Sequence, residues 1–384
     1  MRKAEAGIYA IAWSHGAMHA YLVLLPALAP LMKAEIGGYA LLGALISLVF
    51  LFYGWGSLPI GWIADRSPKR LMIALSMLLC GVSSIFIGLA HSLPLLGASL
   101  ILLGLGASLY HPPGYAAMAL YTSEMRGRYM GIQGLGGLVG MALSYITATS
   151  LGAIIGWRAT FLLWGLIGVV TGLLDLLIIV EPESNPQGEG ERHREWISLS
   201  IGLRRLIVVF AIIILSGALW SGVSSFLLAY VNEVKGVQLL LAGGLSTISY
   251  TVGSIAQIIG GELSDRKGRR IVILAGFAAY SLFLFALTKA PGSLLLILLL
   301  LILLGFSFYV TQSPINALLG DVSPRRTVGA TYGFNFAVKY GIGSFTPALA
   351  GYLTARYSMD YAFYLFALLS LAAFLLSLLI REER

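Results

Sequence analysis

Apolar residues dominate the chain in runs of about twenty, and short polar segments separate the runs. The hydrocarbon core of a bilayer is about 30 Å thick, so an α-helix needs roughly 20 apolar residues to cross it. The pattern predicts an all-α membrane protein with twelve transmembrane helices. The predicted spans, numbered one to twelve, are 7–32, 38–64, 71–90, 94–121, 128–155, 157–180, 205–232, 237–263, 271–289, 293–320, 328–356 and 360–380.

Composition agrees with a lipid-facing surface. Of the 384 residues, 58% are hydrophobic and only 11% are charged, whereas a soluble domain carries about 25% charged residues. The net charge of +8 comes from basic residues in the loops, so it does not indicate nucleic-acid binding. The single cysteine, Cys80, lies inside an apolar run, which excludes a disulfide framework. No metal cluster and no cofactor are predicted.

A long polar segment, 181–204, divides the chain into halves of six spans each, 1–180 and 205–384. Nineteen of the 25 lysine and arginine residues fall on the side of this linker, and five fall on the opposite side. Because basic loops stay in the cytoplasm, the linker and both termini are predicted to be cytoplasmic. The predicted location is the cell membrane, and the chain is expected to act as a monomer surrounded by lipid.

The two halves repeat each other in sequence. GWIADRSPKR at 61–70 matches GELSDRKGRR at 261–270, and GASLY at 106–110 matches GFSFY at 305–309. Arg126 and Arg325 follow at corresponding positions in the two halves. Matches in the same order at a nearly constant offset predict a parallel duplication, with a pseudo-twofold axis along the membrane normal.

These motifs resemble those of the major facilitator superfamily, whose loop after the second helix has the form G-x-L-a-D-R-x-G-R-R. The second copy fits closely, and the first departs at Ile63 and Pro68. The resemblance implies a twelve-helix transporter whose loop carboxylates pair with arginines in one conformation and part in the other. The residues that it assigns to gating are Asp65, Arg66, Arg70, Asp265, Arg266, Arg269, Arg270, Arg126 and Arg325.

A narrower resemblance rests on HAYLVLLPALAPLMKAEIG in span one and on YHPPG at 110–114 in span four. Both segments are similar to the fosmidomycin-resistance group, which exports drugs, including a phosphonate antibiotic. Span five carries Gly136 and Gly140, and this G-x-x-x-G spacing predicts close helix packing or bending. Pro112, Pro113 and Pro314 are predicted to interrupt spans four and ten.

Ionisable residues inside a bilayer are costly and usually functional. His15 and His19 lie four residues apart in span one and share a helix face. The superfamily resemblance places spans one, four and eleven around the cavity, which adds His111 and Lys339 but no central carboxylate. The full predicted substrate and proton site is His15, His19, Tyr110, His111, Trp220, Gln312, Asn316, Asn335 and Lys339.

A neutral-to-positive site predicts a small anionic or phosphonate-like substrate, carried by alternating access and coupled to protons. One alternative is a multidrug exporter of uncharged or cationic compounds, and another is a membrane sensor that does not transport. A membrane enzyme is disfavoured because His15 and His19 have no carboxylate or cysteine nearby in sequence to complete a catalytic site. No catalytic residue is predicted.

The predicted topology can be tested by labelling. Single cysteines placed in the 181–204 linker, in a chain that lacks Cys80, should react with membrane-impermeant maleimide only from the cytoplasmic side, because the linker belongs to the basic side of the protein. Reaction with intact cells from the outside would reverse the orientation.

Overall fold

The described residues of the computed structural model are 2–64, 66–121, 126–180, 203–322 and 334–380, and their regular structure is helical. Five-residue and six-residue π-helical segments follow α7 and precede α12, at Tyr230–Val234 and Ala337–Ile342. The α-helices are α1 (Arg2–Ile36), α2 (Tyr39–Ala64), α3 (Lys69–Leu89), α4 (Leu93–Ser108), α5 (His111–Tyr121), α6 (Arg126–Ile178), α7 (Leu203–Ala229), α8 (Leu239–Lys267), α9 (Arg269–Lys289), α10 (Leu294–Tyr309), α11 (Gln312–Val322), α12 (Phe345–Arg356) and α13 (Met359–Ser377).

Ten helical segments are long and apolar enough to cross a membrane. One of them, Gly131–Ile178, contains 48 residues, which is about 72 Å of helix and twice the thickness of a bilayer core. Gly156 divides it with a φ of 80° and a ψ of 161°, a conformation that glycine adopts without steric cost. The described residues therefore form eleven crossings. Residues 334–356 add helical turns in predicted span eleven, and the count of twelve stays a prediction.

Predicted spans four and ten are each broken at the same relative place. Span four is divided into α4 and α5 by a turn at Leu109 and Tyr110, and span ten is divided into α10 and α11 by a turn at Val310 and Thr311. Pro112 and Pro113 therefore lie in the first turn of α5, where a missing N–H removes no helical hydrogen bond. Pro314 is the third residue of α11.

Side-chain hydroxyls satisfy carbonyls near both breaks. Ser108 Oγ donates to the Leu105 carbonyl at 2.7 Å, and Thr311 Oγ1 donates to the Phe308 carbonyl at 2.7 Å. Such bonds are needed at membrane depth, where no bulk water replaces the lost backbone partner. The two spans thus share a break and the means of tolerating it, as expected for duplicated halves.

Glycines bring α1 and α6 into backbone contact. A Cβ atom at Gly140 would overlap the Gly16 carbonyl, and one at Gly136 would overlap the Ala12 carbonyl. Small residues at this spacing allow neighbouring helix backbones to approach closely in membranes. The G-x-x-x-G positions of predicted span five therefore lie at the contact with the helix that carries His15 and His19.

Several hydrogen bonds join the N-terminal half (α1–α6) to the C-terminal half (α7–α13). The amide of Ala348 donates to Ser47 Oγ at 2.9 Å, and Thr247 Oγ1 donates to the Ala142 carbonyl at 2.7 Å. Tyr145 donates to the Ser224 carbonyl at 2.8 Å. These contacts join α2 to α12, α6 to α8 and α6 to α7, so the halves pack through helices at their common boundary.

Replacing Gly140 with alanine should destabilise the bundle, because the new methyl group would overlap the Gly16 backbone. Overpacking of this kind typically costs about 1–3 kcal/mol. We expect a lower apparent unfolding temperature of the detergent-purified protein. Gly134→Ala is the matched control on the same helix, since a Cβ there meets no atom within 4 Å. Equal unfolding temperatures for the two variants would argue against the close contact.

Candidate functional site: a buried histidine cluster beside Lys339

Three imidazoles meet inside the bundle. His15 and His19 come from adjacent turns of α1, and His111 begins α5. Their ring centroids are 4.7 Å apart for His15 and His19, 5.1 Å for His15 and His111, and 5.3 Å for His19 and His111. All three residues are buried. We call this nearly equilateral group the histidine cluster.

Hydrogen bonding fixes the orientation of His15. Its Nδ1 lies 2.6 Å from the Gln133 carbonyl oxygen. A carbonyl can only accept, so Nδ1 carries the proton and Nε2 presents its lone pair. The Tyr110 ring stacks on the His15 ring, with centroids 5.2 Å apart and an interplanar angle of 8°. Tyr110 is itself held by donating to the Ile11 carbonyl at 2.5 Å.

The backbone of α6 makes room for the cluster at Gly137. A Cβ atom there would lie 2.8 Å from His15 Cε1 and 3.0 Å from His19 Cδ2. The same helix thus supplies the carbonyl that orients His15 and the glycine that accommodates both α1 imidazoles.

Aromatic residues surround His111. The Tyr115 ring stacks on the His111 ring with centroids 5.6 Å apart. Phe336, which belongs to the C-terminal half, lies with its ring centroid 4.6 Å from that of His111. Among the described residues, neither ring nitrogen of His111 has a hydrogen-bond partner, and the same holds for His15 Nε2 and His19 Nδ1. Buried polar atoms are rarely left unpaired without a functional reason.

Lys339 lies in the π-helical segment Ala337–Ile342. Short π-helical segments inside longer helices are frequent at functional sites. Its Nζ donates to Gln312 Oε1 at 3.0 Å, and Gln312 Nε2 lies 3.2 Å from Ser216 Oγ. No described carboxylate lies within ion-pair distance of Lys339. A neutral amide is therefore its observed side-chain hydrogen-bond partner.

Trp220 connects the two parts of the candidate site. Its ring lies 6.5 Å from His19 and 5.3 Å from Tyr340, and its Nε1 donates to the Tyr309 hydroxyl at 3.2 Å. Asn335 is buried, and its Oδ1 has no partner in the described structure. Asn316 lies half-buried on α11, one turn beyond Gln312. The structure thus groups the predicted histidines, Tyr110 and Trp220, and links Lys339 to Gln312.

The aromatic residues that connect the halves at this site are absent from the site predicted from the sequence. Tyr53 of α2 lies 4.9 Å from Tyr340 and 5.9 Å from His111, measured between ring centroids. The Tyr53 hydroxyl is buried without a partner in the described residues. In sequence these rings are indistinguishable from apolar packing residues, although the position of Tyr340 next to Lys339 offered a signal.

The buried carboxylate of Asp175 lies outside the cluster. Asp175 accepts a 2.7 Å hydrogen bond from Ser14 Oγ, and Ser14 directly precedes His15 in α1. The bond ties the end of α6 to α1. Asp175 thus makes a structural contact between two helices.

The described residues assigned to gating lie at helix ends. Asp65, Arg325 and residues 181–202 of the predicted linker fall outside the described residues, whereas Leu203 and Arg204 belong to α7. Arg126 begins α6. Asp265 is exposed, and Arg266 pairs with Glu262 one turn away on α8.

The remaining arginines assigned to gating contact nearby groups or begin helices. Arg66 covers the Trp62 ring at 4.1 Å, and Arg270 donates to the Leu378 carbonyl at 2.9 Å. Arg70 and Arg269 lie at the starts of α3 and α9. Their gating roles remain predictions.

An ionic contact joins the two halves near the end of α1. Lys33 Nζ lies 2.7 Å from Glu233 Oε1, and the Tyr39 hydroxyl donates to the same oxygen at 2.6 Å. Lys33 and Tyr39 belong to the N-terminal half, and Glu233 belongs to the π-helical segment after α7. The contact therefore joins the halves directly. The Glu233 side chain is only 23% exposed, which limits screening by water.

A bundle of membrane-length helices around buried histidines and a lysine is the architecture of a multi-pass membrane protein. The sequence profile of the Major Facilitator Superfamily matches residues 11–346 and again residues 247–384. The chain therefore belongs to this superfamily, and it is a transporter and not an enzyme. The resemblance to the superfamily that the loop motifs indicated is thus confirmed, and the match extends over most of the chain.

Several curated relatives are transporters of organic solutes. A probable L-galactonate transporter of Escherichia coli (strain K12) is 23% identical over 84% of this chain and 77% of its own length. A probable sulfoacetate transporter of Cupriavidus necator is 26% identical over 85% and 82%. A multidrug resistance protein of Escherichia fergusonii is 26% identical over 90% of this chain and 85% of its own length.

A solved structure is similar in fold. The crystal structure of a bacterial homolog of the lysosomal transporter Spinster, inward-facing and unoccupied, has a TM-score of 0.78. It is 17% identical over 98% of this chain and 97% of its own.

Removing the charge of Glu233 should loosen the closed end of the bundle. A partly exposed ion pair contributes about 1 kcal/mol, so Glu233→Gln should shift the balance between closed and open forms about fivefold. Spin labels at Ala34→Cys and Gln238→Cys, in a chain without Cys80, would report the change as a larger long-distance population in double electron–electron resonance.

Glu35→Gln is the matched control for this experiment. Glu35 pairs with Arg158 within the N-terminal half, so its loss removes an ion pair of the same kind without separating the halves. An equal distance distribution in both variants would show that Glu233 does not hold the end closed.

Proposed function

We propose that the protein is a secondary active transporter of a small organic anion, working by alternating access with proton coupling. The observation that carries the proposal is Lys339, a lysine in a predicted membrane span whose ammonium group bonds an amide and no described carboxylate. A charge held inside a membrane protein without a counter-ion favours an anionic ligand. A carboxylate, sulfonate or phosphonate would supply the missing charge.

The relatives support an anionic substrate. Two relatives are named as probable transporters of L-galactonate and of sulfoacetate. Both compounds are organic acids that carry a negative charge at neutral pH. Gln312, Ser216 and the unpaired Tyr53 hydroxyl would supply neutral hydrogen bonds to such a molecule. Trp220, Tyr340 and Phe336 would contact its apolar part. The site is therefore suited to a compact anion with an apolar or hydroxylated body.

Proton coupling would come from the histidine cluster. Imidazole has an ordinary pKa near 6.5, so small changes in surroundings decide its charge at physiological pH. His19 and His111 interact electrostatically with Lys339, so anion binding at the lysine would change how readily these histidines hold a proton. One site could thus exchange an anion and a proton in the same cycle.

The proposed orientation makes the observed conformation closed to the outside. With both termini and the 181–204 linker in the cytoplasm, the Lys33–Glu233 contact lies at the outer face of the cell membrane. In the alternate state this contact would break and the cytoplasmic ends would meet. Asp65 and Asp265 would then pair with arginines of the repeated loops, which is the gating role inferred from the sequence.

A multidrug exporter is the second candidate function. Its support is the aromatic surroundings of His111, formed by Tyr53, Tyr115 and Phe336, together with the multidrug resistance relative. Aromatic faces bind flat or cationic compounds. Lys339 opposes cations, so this reading favours uncharged drugs.

Replacing Lys339 with alanine should lower organic-anion transport at least tenfold, because the site would lose its positive charge. The assay is uptake of labelled carboxylates and sulfonates by proteoliposomes over a range of pH. Lys339→Arg should retain both anion binding and pH dependence, since a guanidinium keeps the positive charge and the histidine cluster still exchanges the proton.

Lys289→Ala provides the control, because this lysine lies at the end of α9 and bonds the Tyr364 hydroxyl. It should transport like the unmodified protein. Normal anion transport by Lys339→Ala, or saturable transport of cations alone, would overturn the proposal.

A further inference from the structure

We propose that His15, His19 and His111 form a binding site for a divalent transition-metal cation of the Zn²⁺, Ni²⁺ or Cu²⁺ class. Each histidine offers one ring nitrogen, and these three atoms lie within 4.8 Å of one another. The sequence placed all three histidines in one predicted cavity but led to no metal prediction. The fold brings the imidazole of α5 against the two of α1.

The hydrogen bonds of the cluster match those of a metal site. Metal-binding histidines usually donate their second ring N–H to a carbonyl or carboxylate, which fixes the tautomer and the ring orientation. His15 does this through Nδ1 to the Gln133 carbonyl at 2.6 Å. Its Nε2 is left as a lone pair without a described partner. His15 is thus already oriented as a ligand.

The other two histidines are equally available. His19 Nδ1 and both nitrogens of His111 are buried and have no hydrogen-bond partner within the described residues. A set of three neutral imidazoles that served only for packing would leave these polar atoms desolvated and without compensation. A bound cation would satisfy one nitrogen from each ring together.

Small ring movements would complete the geometry. Zn–N bonds of about 2.0–2.1 Å place tetrahedral ligand atoms about 3.3 Å apart. The three nitrogens lie within 4.8 Å of one another, so each would move inward by at most about 0.9 Å. The His15 ring is stacked on Tyr110 and the His111 ring on Tyr115, which limits these two rings to small adjustments.

The chemistry of the donors selects the class of metal. Imidazole suits zinc, copper and nickel, whereas calcium and magnesium require oxygen ligands. Three protein ligands leave the fourth position of a tetrahedral site open. The Tyr53 hydroxyl, buried beside His111 without a described partner, could bond whatever fills it.

The positive charge of Lys339 bears on this fourth ligand. Lys339 directly precedes Tyr340, whose ring lies 5.3 Å from Trp220, and Trp220 in turn lies 6.5 Å from His19. A cation in the cluster would therefore increase the need for a nearby anion. We infer that the fourth ligand is the anionic substrate, and this step rests on the proposed function. The three-imidazole site itself does not depend on it.

Metal binding should be measured directly on the purified full chain without a histidine tag. Equilibrium dialysis against Zn²⁺ alone and against Ni²⁺ alone, with elemental analysis, should give one tightly bound ion per chain. Ca²⁺ at the same concentration should not bind. His15→Ala, His19→Ala and His111→Ala should each weaken Zn²⁺ binding by more than the 10–100-fold typical of losing an outer-shell partner.

His91→Ala is the matched control, because His91 is exposed and lies outside the cluster. It should bind Zn²⁺ like the unmodified chain. Equal binding by the unmodified chain and His111→Ala would overturn the proposal. Should the variants unfold, X-ray absorption of the Zn²⁺-loaded unmodified chain decides: scattering from about three imidazoles supports the site, and its absence overturns it. Neither measurement involves transport, so a failure here leaves the proposed function standing.

Discussion

The close contact between α1 and α6 determines where the functional groups of this transporter lie. Glycines at 16, 136 and 140 allow the two backbones to touch, and lipid provides no hydrophobic force to bring helices together. At this distance Gln133 reaches His15, and Gly137 accommodates the rings of His15 and His19. A larger separation would leave two imidazoles in the bilayer without the carbonyl that orients one of them.

Much of the fold could be predicted from hydropathy and repetition, because the bilayer fixes the length of every crossing. The breaks of spans four and ten followed from Pro112, Pro113 and Pro314, whose chemistry is local. The helix-contact role of Gly136 and Gly140 followed from spacing alone. The kink at Gly156 also lies between two predicted spans. Properties that depend on neighbours along the chain were therefore accessible from the sequence.

The candidate site was accessible only in part, because its geometry depends on contacts between distant segments. Spacing placed His15 and His19 on one face, but nothing in the sequence gave the distance from either residue to His111. The Gln312 partner of Lys339 lies 27 residues away, and Glu233 meets Lys33 from the other half. In the sequence, Tyr53 is indistinguishable from any other aromatic residue of an apolar helix. Its contact with Tyr340 depends on the fold.

Lys339 and the histidine cluster come from different halves of the molecule, and both can carry a positive charge. Lys339 enters from the C-terminal half and is positioned by an amide, which does not neutralise it. The histidine cluster enters from the N-terminal half and can change its charge by gaining a proton. In the proposed cycle, alternating access would move the halves relative to one another, so it would change the distance between these groups and the Coulomb energy of their interaction. A ligand bound between them would therefore feel a different field in each state. Such a difference in binding free energy is what a ligand needs to shift a conformational equilibrium.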